Sequence, residues 1–336
     1  MPRHLSYTQW STWQRCQYSY YLKYVLRIKP RHERPAISLG IAVHRGLAAG
    51  LLGESVANAI AEWQDELLEQ PLFPDEEMQV EEMGPEAHAI TGRTLDSLEL
   101  GEKWDTVSVD GVPLVETKLE CDLPKESGDW SHFEGHIDWV ALELETGRKW
   151  LVDHKVRKSF QGDYAEEFNQ QMALYKHLMT VELDIKDVYG SITHQIKSTT
   201  PQEPSINKNG SVGRQLITTD WPTYLAVIER QGQDPADYED MRAKLQDVEW
   251  SRMSTNYWPD MMVRAVWNNM VSNAKAIQEA KSYPRTIGLF TCNGCRLREF
   301  CMADLRGEDT DFLLQTTFMY KDEEDKPLNP NIELEE

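Results

Sequence analysis

The spacing of apolar residues changes along the chain from a helical period to strand-like alternation and back. A helical period predicts helices over residues 6–28, 38–69, 87–103 and 164–183. Alternation of apolar and polar residues predicts strands over residues 113–123, 133–144, 148–156 and 188–196. Residues 221–281 return to a mostly helical pattern. Strands that mix with helices in this way predict a mixed central sheet flanked by helices, of the α/β or the α+β class, and we take α/β as the prediction.

Polar and proline-containing stretches separate these elements. Residues 71–86 are acidic and contain prolines, which predicts a surface loop. Residues 197–220 are polar and predict a long loop or a hairpin. From residue 321 onward the chain is strongly acidic with few apolar residues, which predicts disorder.

The length suits one large domain or two small ones, and 40% apolar residues can form a substantial core. The sequence has no run of eighteen apolar residues and no apolar signal core near Met1. We therefore expect no membrane association and a cytoplasmic location.

The net charge of −21 argues at first against a nucleic-acid partner, because phosphate binding needs a cationic surface. The charge is unevenly distributed, with nine acids in residues 65–86 and ten in residues 308–336. Residues 1–34 instead hold seven Lys or Arg against one acid, interleaved with aromatic residues. Cations among aromatic rings suit a single nucleic-acid strand. The alternative, which we favour for most of these rings, is an amphipathic helix whose aromatic side chains belong to the core.

Two carboxylates and a lysine lie on adjacent predicted strands. Asp138 ends the segment Gly135-His-Ile-Asp138, and Asp153 and Lys155 lie on the next strand. Residues two apart in a strand face the same way, so Asp153 and Lys155 project together. A two-residue turn at Thr146-Gly147 would place Asp138 opposite Lys155, with Asp153 diagonal to it. The spacing therefore predicts both carboxylates and the ammonium group on one face of the sheet.

Neighbouring carboxylates repel each other unless a cation lies between them. Oxygen ligands suit Mg²⁺ or Mn²⁺, which can polarise a phosphate oxygen and activate a bound water. A nearby lysine can orient that water or stabilise developing negative charge. A ladder of surface salt bridges explains the three residues alone equally well. The surrounding strands favour an active site, because buried charges are costly and these neighbours are apolar: Phe133, Ile137, Trp139, Trp150, Leu151 and Val152.

The Gly135-x-x-Asp138 and Asp153-x-Lys155 segments, followed by Gln171-x-x-x-Tyr175, resemble the RecB-like branch of the PD-(D/E)XK nucleases. This branch includes the nuclease domains of RecB and AddB and the CRISPR-associated exonucleases. The segment Gly40-Ile-Ala-Val-His44 fits the position of a histidine on an early helix of such proteins. The resemblance implies a restriction-endonuclease-like core, in which a mixed sheet is flanked by helices.

The resemblance also implies roles for individual residues. The metal ligands would be His44, Asp138, Asp153 and the main-chain carbonyl of His154. The catalytic set would contain the same three side chains together with Lys155, which activates water, and Glu116, which matches an acidic position on the preceding strand. The helical pair Gln171 and Tyr175 would contact DNA or brace the site. Taken alone, His44 suits a core histidine and Tyr175 suits simple packing. Asp153 departs from the commoner form of the motif, which has Glu at this position.

Three of the five cysteines, Cys292, Cys295 and Cys301, have a metal-type spacing. A closed site needs a fourth thiolate. Cys121 lies within a predicted strand, where we expect it to be packed, and Cys16 lies near the other end of the chain. Zinc and a [4Fe–4S] cluster both accept four thiolates, so the residues alone leave both open.

One remote cysteine with a tight trio resembles the iron–sulfur members of the RecB-like nucleases. The resemblance implies a [4Fe–4S] cluster on Cys16, Cys292, Cys295 and Cys301 that joins the N- and C-terminal segments. It implies the following organisation: one nuclease domain over 1–306, a clasp formed by 1–35 and 285–306, an insertion of undefined role at 197–255, and an acidic tail at 307–336.

Together these features predict a metal-dependent DNA exonuclease that hydrolyses phosphodiester bonds, acting on single-stranded ends in recombination, repair or phage replication. The cofactors expected are Mg²⁺ or Mn²⁺ and the iron–sulfur cluster, and the partner expected is DNA. The alternative from another class is a catalytically silent DNA-binding or recombination-partner protein on the same fold. A zinc-stapled scaffold without a DNA role is a third interpretation. The sequence leaves a protein partner or a homo-oligomer open.

Overall fold

The computed structural model describes residues 3–31, 35–69, 74–162, 169–215 and 217–321. In chain order its strands are β1 (Arg3–Ser6), β2 (Ile28–Pro30), β3 (Trp104–Thr106), β4 (Ser108–Val109), β5 (Val112–Pro113), β6 (Val115–Asp122), β7 (Trp130–Glu143), β8 (Arg148–Arg157), β9 (Val188–Lys197), β10 (Ser251–Asn256) and β11 (Phe318–Tyr320). The helices are α1 (Tyr7–Arg15), α2 (Gln17–Tyr20), α3 (Pro35–Leu51), α4 (Val56–Leu68), α5 (Pro74–Leu98), α6 (Gln170–Glu182), α7 (Trp221–Arg230), α8 (Glu239–Leu245), α9 (Asp260–Glu279), α10 (Leu289–Cys292), α11 (Arg298–Leu305) and α12 (Thr310–Thr316).

Seven strands form one mixed sheet in the order β1-β7-β8-β9-β10, with β3 and β6 also paired to β7. The pairs β1–β7 and β8–β9 are parallel, whereas β6–β7, β7–β8 and β9–β10 are antiparallel. Helices α1, α6 and α9 contribute to a hydrophobic cluster that includes Phe133 and Leu151 of the sheet. Helices α3, α4 and α5 pack together around a second cluster that includes Ile196. The predicted α/β class, a mixed sheet flanked by helices, is confirmed.

The four strands predicted from alternation are present as β6, β7, β8 and β9. Their side chains alternate between buried and exposed in β6, whereas β9 is buried almost throughout because it lies inside the sheet. Three strands of the sheet were not predicted, one of which is the short strand β3. β1 is only Arg3–Ser6, and β10 interrupts the segment 221–281 that was expected to be mostly helical.

The predicted helix over 6–28 is broken at Cys16, whose φ of −164° and ψ of 113° are extended. Helix α2 and a π-helical turn at Tyr21–Val25 follow this break. The helix predicted over 38–69 is likewise two helices, α3 and α4. Gly53 has a φ of +73° between them, and the hydroxyl of Ser55 caps α4 by accepting a hydrogen bond from the Asn58 amide.

The loop predicted over 71–86 is wrong, because α5 begins at Pro74 and continues through Pro85 to Leu98. Proline is tolerated in the first turn, and the acids Asp75, Glu76 and Glu77 lie where the helix dipole favours negative charge. The separate helix predicted over 87–103 is therefore the C-terminal part of α5. Residues 164–168 of the helix predicted over 164–183 lie outside the described residues, and the remainder contains α6.

The acidic C-terminal segment begins with ordered elements. Residues 310–316 form α12, and β11 pairs with β2 in an antiparallel ribbon, Phe318 opposite Pro30. The stretch predicted to be disordered, from residue 321, lies outside the described residues except for Lys321. None of the helices in the described ranges is both long enough and apolar enough to cross a membrane.

Candidate active site

The sheet forks where the candidate residues lie. Strands β7 and β8 pair from Glu143↔Arg148 to Trp139↔Val152, and beyond that point they separate. On the far side of the fork β7 pairs with β1, as far as Ser6↔Glu134, while β8 continues beside β9. Asp138 and Asp153 are therefore the first residues past the last pair. The amide of His154 donates a 2.7 Å hydrogen bond to Oδ2 of Asp138 across the opening.

The predicted hairpin register is wrong by two residues. The turn is longer than Thr146-Gly147 alone, since Glu143 pairs with Arg148 and the Gly147 amide donates to the Glu143 carbonyl at 2.7 Å. Asp138 consequently lies beside Asp153 rather than opposite Lys155. A shift by two residues preserves the side on which a strand residue points. The predicted proximity of Asp153 and Lys155 is present, with Nζ of Lys155 2.7 Å from Oδ1 of Asp153.

Three potential ligands converge in the fork. One ligand atom each from His44, Glu116 and Asp138 lies within 4.8 Å of the others, and no other such group of three or more occurs in the described residues. Nδ1 of His44 is 3.6 Å from Oδ2 of Asp138 and 3.7 Å from Oε1 of Glu116. Helix α3 supplies the histidine from above the sheet. Glu116 interrupts the regular conformation of β6 with a φ of +45°, an uncommon value for a residue with a side chain.

Asp153 lies beside this group but outside it. Its side chain is buried, its Oδ1 is bound to Lys155, and its Oδ2 has no hydrogen-bond partner among the described residues. A buried carboxylate oxygen without a hydrogen-bond partner is costly, and it can serve as a ligand to a cation. Burial opposes the charge of Lys155, but Asp153 outweighs this effect and raises the pKa of the lysine above its usual value. Lys155 is therefore a cation.

The carboxylates have opposite electrostatic environments. Burial raises the pKa of Asp138 to about 6, with His44 opposing the shift and Asp153 adding to it. Burial also acts to raise the pKa of Glu116, but its contacts with His136 and His44 lower it to about 2. A cluster with a strained carboxylate, a buried carboxylate that resists ionisation and an unpaired oxygen fits a divalent cation.

His154 contributes its main chain to the fork. Its imidazole is buried on the other side of the strand, 3.1 Å from Nδ1 of His194 and stacked on Trp139. Its carbonyl lies 2.9 Å from Nε2 of His44. A carbonyl can only accept, so Nε2 of His44 carries a proton, and in the neutral ring Nδ1 is the nitrogen whose lone pair faces the two carboxylates.

Gln171 and Tyr175 brace β7. The Tyr175 hydroxyl accepts hydrogen bonds from Nε2 of Gln171 at 2.9 Å and from the His136 amide at 3.3 Å. Gly135 leaves room for this ring, because a Cβ at that position would lie 2.5 Å from Cε1 of Tyr175 and 2.7 Å from Cδ1 of Leu178. The glycine of the Gly-x-x-Asp segment is thus explained by the aromatic ring of the following helix.

Sequence reasoning missed two residues of the site. His136 donates from Nδ1 to Oε2 of Glu116 at 3.0 Å and lines the clefts on both sides of the fork. Tyr7 begins α1 directly after β1, which occupies the opening between β7 and β8. Burial raises the pKa of Tyr7, with the charge of Lys155 opposing the shift and that of Asp153 adding to it, and Tyr7 lines a cleft together with His136 and Tyr175. The interleaved basic and aromatic residues of the N-terminal segment were the feature of the sequence that could have pointed to Tyr7.

The four expected cysteine ligands line one cavity between the chain ends. Cys16 reaches it from the break between α1 and α2, and Cys292, Cys295 and Cys301 reach it from α10, α11 and their loop. Sγ of Cys16 accepts a hydrogen bond from the Thr286 amide at 3.5 Å. Cys121, by contrast, is buried in the sheet core, as expected.

Other contacts join the two chain ends around this cavity. Tyr18 and Arg285 both contact the Asp304 carboxylate, and the Arg285 guanidinium lies 3.7 Å from the Tyr18 ring centroid. The Tyr21 and Tyr283 rings stack with centroids 4.8 Å apart. The N- and C-terminal segments are therefore packed together whether or not the thiols share a ligand.

A mixed sheet that forks at clustered carboxylates, with a lysine on the same strand, is the arrangement expected of a metal-dependent nuclease. Comparison with protein-family models gives the same class, since residues 4–302 match the PD-(D/E)XK nuclease superfamily. The chain belongs to that superfamily. A search of curated proteins finds no significant match.

Proposed function

We propose that this protein is a DNA exonuclease of the RecB-like branch that degrades single-stranded ends in the presence of Mg²⁺ or Mn²⁺. The observation that carries the proposal is the convergence of His44, Glu116 and Asp138 beside the Asp153–Lys155 pair. The roles in recombination, repair or phage replication are part of the same proposal.

The residues at the fork suit phosphodiester hydrolysis. His44, Asp138 and Asp153 would hold the divalent ion, with Glu116 and the His154 carbonyl close by. When bound, such an ion polarises a phosphate oxygen and makes a bound water a better nucleophile. Lys155 stays protonated on Asp153, so its ammonium can orient the water and stabilise negative charge on the phosphate. Tyr175 and Gln171 keep the neighbouring segment of β7 in place.

The closing experiment uses one single-stranded oligonucleotide labelled at the 5′ end or at the 3′ end, and a circular single strand of similar composition. We expect wild-type protein with Mn²⁺ to shorten the linear strands progressively and to leave the circle intact. Lys155→Ala should lose at least about a hundredfold in rate, the size expected for a positioned charge in the transition state.

Lys149→Ala is the matched control, because Lys149 lies on the same strand but pairs with exposed Asp187. Cleavage of the circle would refute the exonuclease proposal, and equal rates for Lys155→Ala and wild type would refute the site. Binding of DNA without any cleavage would instead support the catalytically silent alternative.

We further propose that Cys16, Cys292, Cys295 and Cys301 bind a [4Fe–4S] cluster. The shared cavity supports it. Zinc and a [4Fe–4S] cluster both accept four thiolates. The sequence pattern favours the cluster, because local zinc sites usually draw on two close pairs of cysteines, whereas here one remote cysteine joins a tight trio.

The cluster has its own test. Anaerobically purified wild type should be coloured, and Cys292→Ser should lose the colour and melt at a lower temperature. Cys121→Ala is the control, because that thiol is packed away from the cavity and the variant should keep the colour. A colourless wild type that contains stoichiometric zinc would overturn the proposal.

We infer that residues 1–306 form one nuclease domain, whose two ends, 1–35 and 285–306, are joined as a clasp. Within the clasp, residues 1–2 and 32–34 lie outside the described residues. The insertion at 197–255 is supported as a unit by a small hydrophobic cluster of its own around Tyr224, Ile228 and Met241. The acidic tail is placed at 307–336, and its strand β11 pairs with β2 of the clasp. A variant truncated after residue 306 that keeps its colour and activity would support this division.

A further inference from the structure

We infer that the DNA strand leaves the catalytic fork across β9 and β10, along a patch of cations and aromatic rings that no part of the proposed mechanism uses. The patch is formed by Phe160, Lys197, Trp250 and Arg252, and it is called the exit patch below. The inference rests on the proposed function, because it extends the binding site of the strand whose phosphate would reach Lys155.

The strand register places the exit patch on the catalytic face. Lys155 pairs with Gln195 on β9, and Gln195 pairs in turn with Arg252 on β10. Paired residues on neighbouring strands project from the same face of a sheet. Lys197, two residues beyond Gln195, projects from that face as well. Arg252, Lys197 and Lys155 therefore share one side of the sheet.

The cations of the patch are held by rings. Nζ of Lys197 lies 5.1 Å from the Phe160 ring centroid and 5.0 Å from that of Trp250. The Arg252 guanidinium lies 4.8 Å from the same Phe160 ring. A ring fixes a cation without neutralising it, unlike a carboxylate. Within the described part of the chain, Lys197 has no carboxylate at ion-pair distance, and Arg252 has only the exposed Glu249.

A buried amide anchors the loop that carries Phe160. Gln195 is fully buried, and its Oε1 accepts a 2.6 Å hydrogen bond from the Gln161 amide. Its Nε2 donates to the Gln161 carbonyl at 3.1 Å. The two bonds fix the backbone next to Phe160. The ring is thus positioned before any ligand arrives, which lowers the entropy cost of binding.

The spacing suits successive phosphates of one strand. Two residues along a strand are about 7 Å apart, and neighbouring strands are about 4.8 Å apart. Lys197 and Arg252 therefore lie roughly 8–10 Å from Lys155, further than one phosphate can span. Much of this chain is acidic, whereas Lys197 and Arg252 together face one carboxylate, that of Glu249, so they form a local excess of positive charge next to the fork where a polyanion is attracted. Trp250 is buried but Phe160 is half-buried, so the Phe160 ring can contact an unpaired base, which favours a single strand over a duplex.

The test measures binding of fluorescent oligo(dT) of about 4 and about 16 nucleotides. It uses the Lys155→Ala background, in which the strand survives, and follows fluorescence anisotropy at several salt concentrations. We expect Lys197→Gln/Arg252→Gln to weaken binding of the longer strand at least about tenfold and to leave the shorter one unaffected. The slope of log K against log salt should fall by about 1.4, which corresponds to two lost phosphate contacts on a single strand.

Two further variants separate charge from structure. Lys197→Arg keeps the cation and should keep the salt dependence of the parent. Lys149→Gln removes a lysine from the other end of β8 and should bind both strands like the parent. Unchanged affinity and slope in the double variant, or equal losses for both strand lengths, would overturn the exit patch.

Failure of the nuclease proposal is distinguishable from failure of the exit patch. If the protein never cleaves DNA but the double variant loses affinity for the longer strand, the exit patch is supported and the nuclease proposal fails. If the protein cleaves DNA but the double variant binds the longer strand as tightly as its parent, the nuclease proposal is supported and the exit patch fails.

Discussion

Asp138→Asn should make the metal-free protein more stable while removing its response to metal. Asp138 is a buried carboxylate whose pKa rises from 3.8 to about 6, mainly through burial. A difference of one pKa unit corresponds to about 1.4 kcal/mol, so ionised Asp138 costs the fold about 3 kcal/mol. Because the folded pKa exceeds the unfolded one, this cost is fully present above pH 6 and disappears as the pH falls towards 3.8.

Asparagine removes the charge and keeps the shape. Its carbonyl oxygen can still accept from the His154 amide, although a bond to a neutral acceptor is weaker by about 1 kcal/mol. The net gain in the free energy of unfolding is then about 2 kcal/mol at pH 8. For a chain of this size that corresponds to a rise in melting temperature of about 4 °C.

Differential scanning fluorimetry in EDTA and in Mn²⁺, at pH 5 and pH 8, measures both effects. At pH 8 in EDTA the Asn variant should melt higher than wild type. At pH 5 the difference should shrink to about half, because Asp138 is then protonated in the folded state but still ionised in the unfolded state, and it should vanish only as the pH approaches 3.8. Mn²⁺ should raise the melting temperature of wild type and have little effect on the variant. Asp122→Asn, an exposed carboxylate on β6, is the control. An Asn variant that melts below wild type in EDTA at pH 8, or that gains as much from Mn²⁺, would refute the reasoning.

Three further predictions follow from the same geometry. Gly135→Ala should cost about 1–3 kcal/mol in urea unfolding, because its Cβ meets a packed ring at 2.5 Å, whereas Gly162→Ala, with open space around it, should not. Below about pH 6 the cleavage rate at limiting Mg²⁺ should fall, because protons compete with the metal for Asp138. A higher Mg²⁺ concentration should shift this fall in rate to lower pH. A fall in rate whose pH does not depend on Mg²⁺ would contradict the prediction. Tyr7→Phe should slow single-turnover cleavage at least about tenfold without a change in melting temperature, if the phenol orients groups around Lys155.

The sequence predicted the central strands well because their burial follows from local alternation. It also predicted that Asp153 and Lys155 share a face, since that depends only on a period of two. The exact partner of Asp138 could not be predicted, because the length of the turn before Arg148 sets the register, and Thr146-Gly147 alone does not reveal that length. A register error of two residues keeps Asp138 on the same face of the sheet as Asp153 and Lys155, so the three residues were still predicted to lie together.

The fork itself could not be predicted from local patterns. It arises because β1, a strand of only four residues, takes the place beside β7 that β8 vacates. The sequence signal of such a short strand is weak, so Tyr7 was not connected with Lys155. Glu116 was expected only from the resemblance, and its contacts with His44 and His136 depend on a backbone conformation that residue patterns do not encode.

The costs stored around the fork argue that it is a ligand site and not a structural one. Glu116 holds a left-handed backbone conformation, which costs about 1–3 kcal/mol for a residue with a side chain. Asp138 opposes ionisation, and Oδ2 of Asp153 is buried without a partner among the described residues. A sheet selected for stability alone would replace these groups with glycine, asparagine and an apolar side chain. A divalent cation would offset these three unfavourable choices together, and the group of His44, Glu116 and Asp138 could bind one.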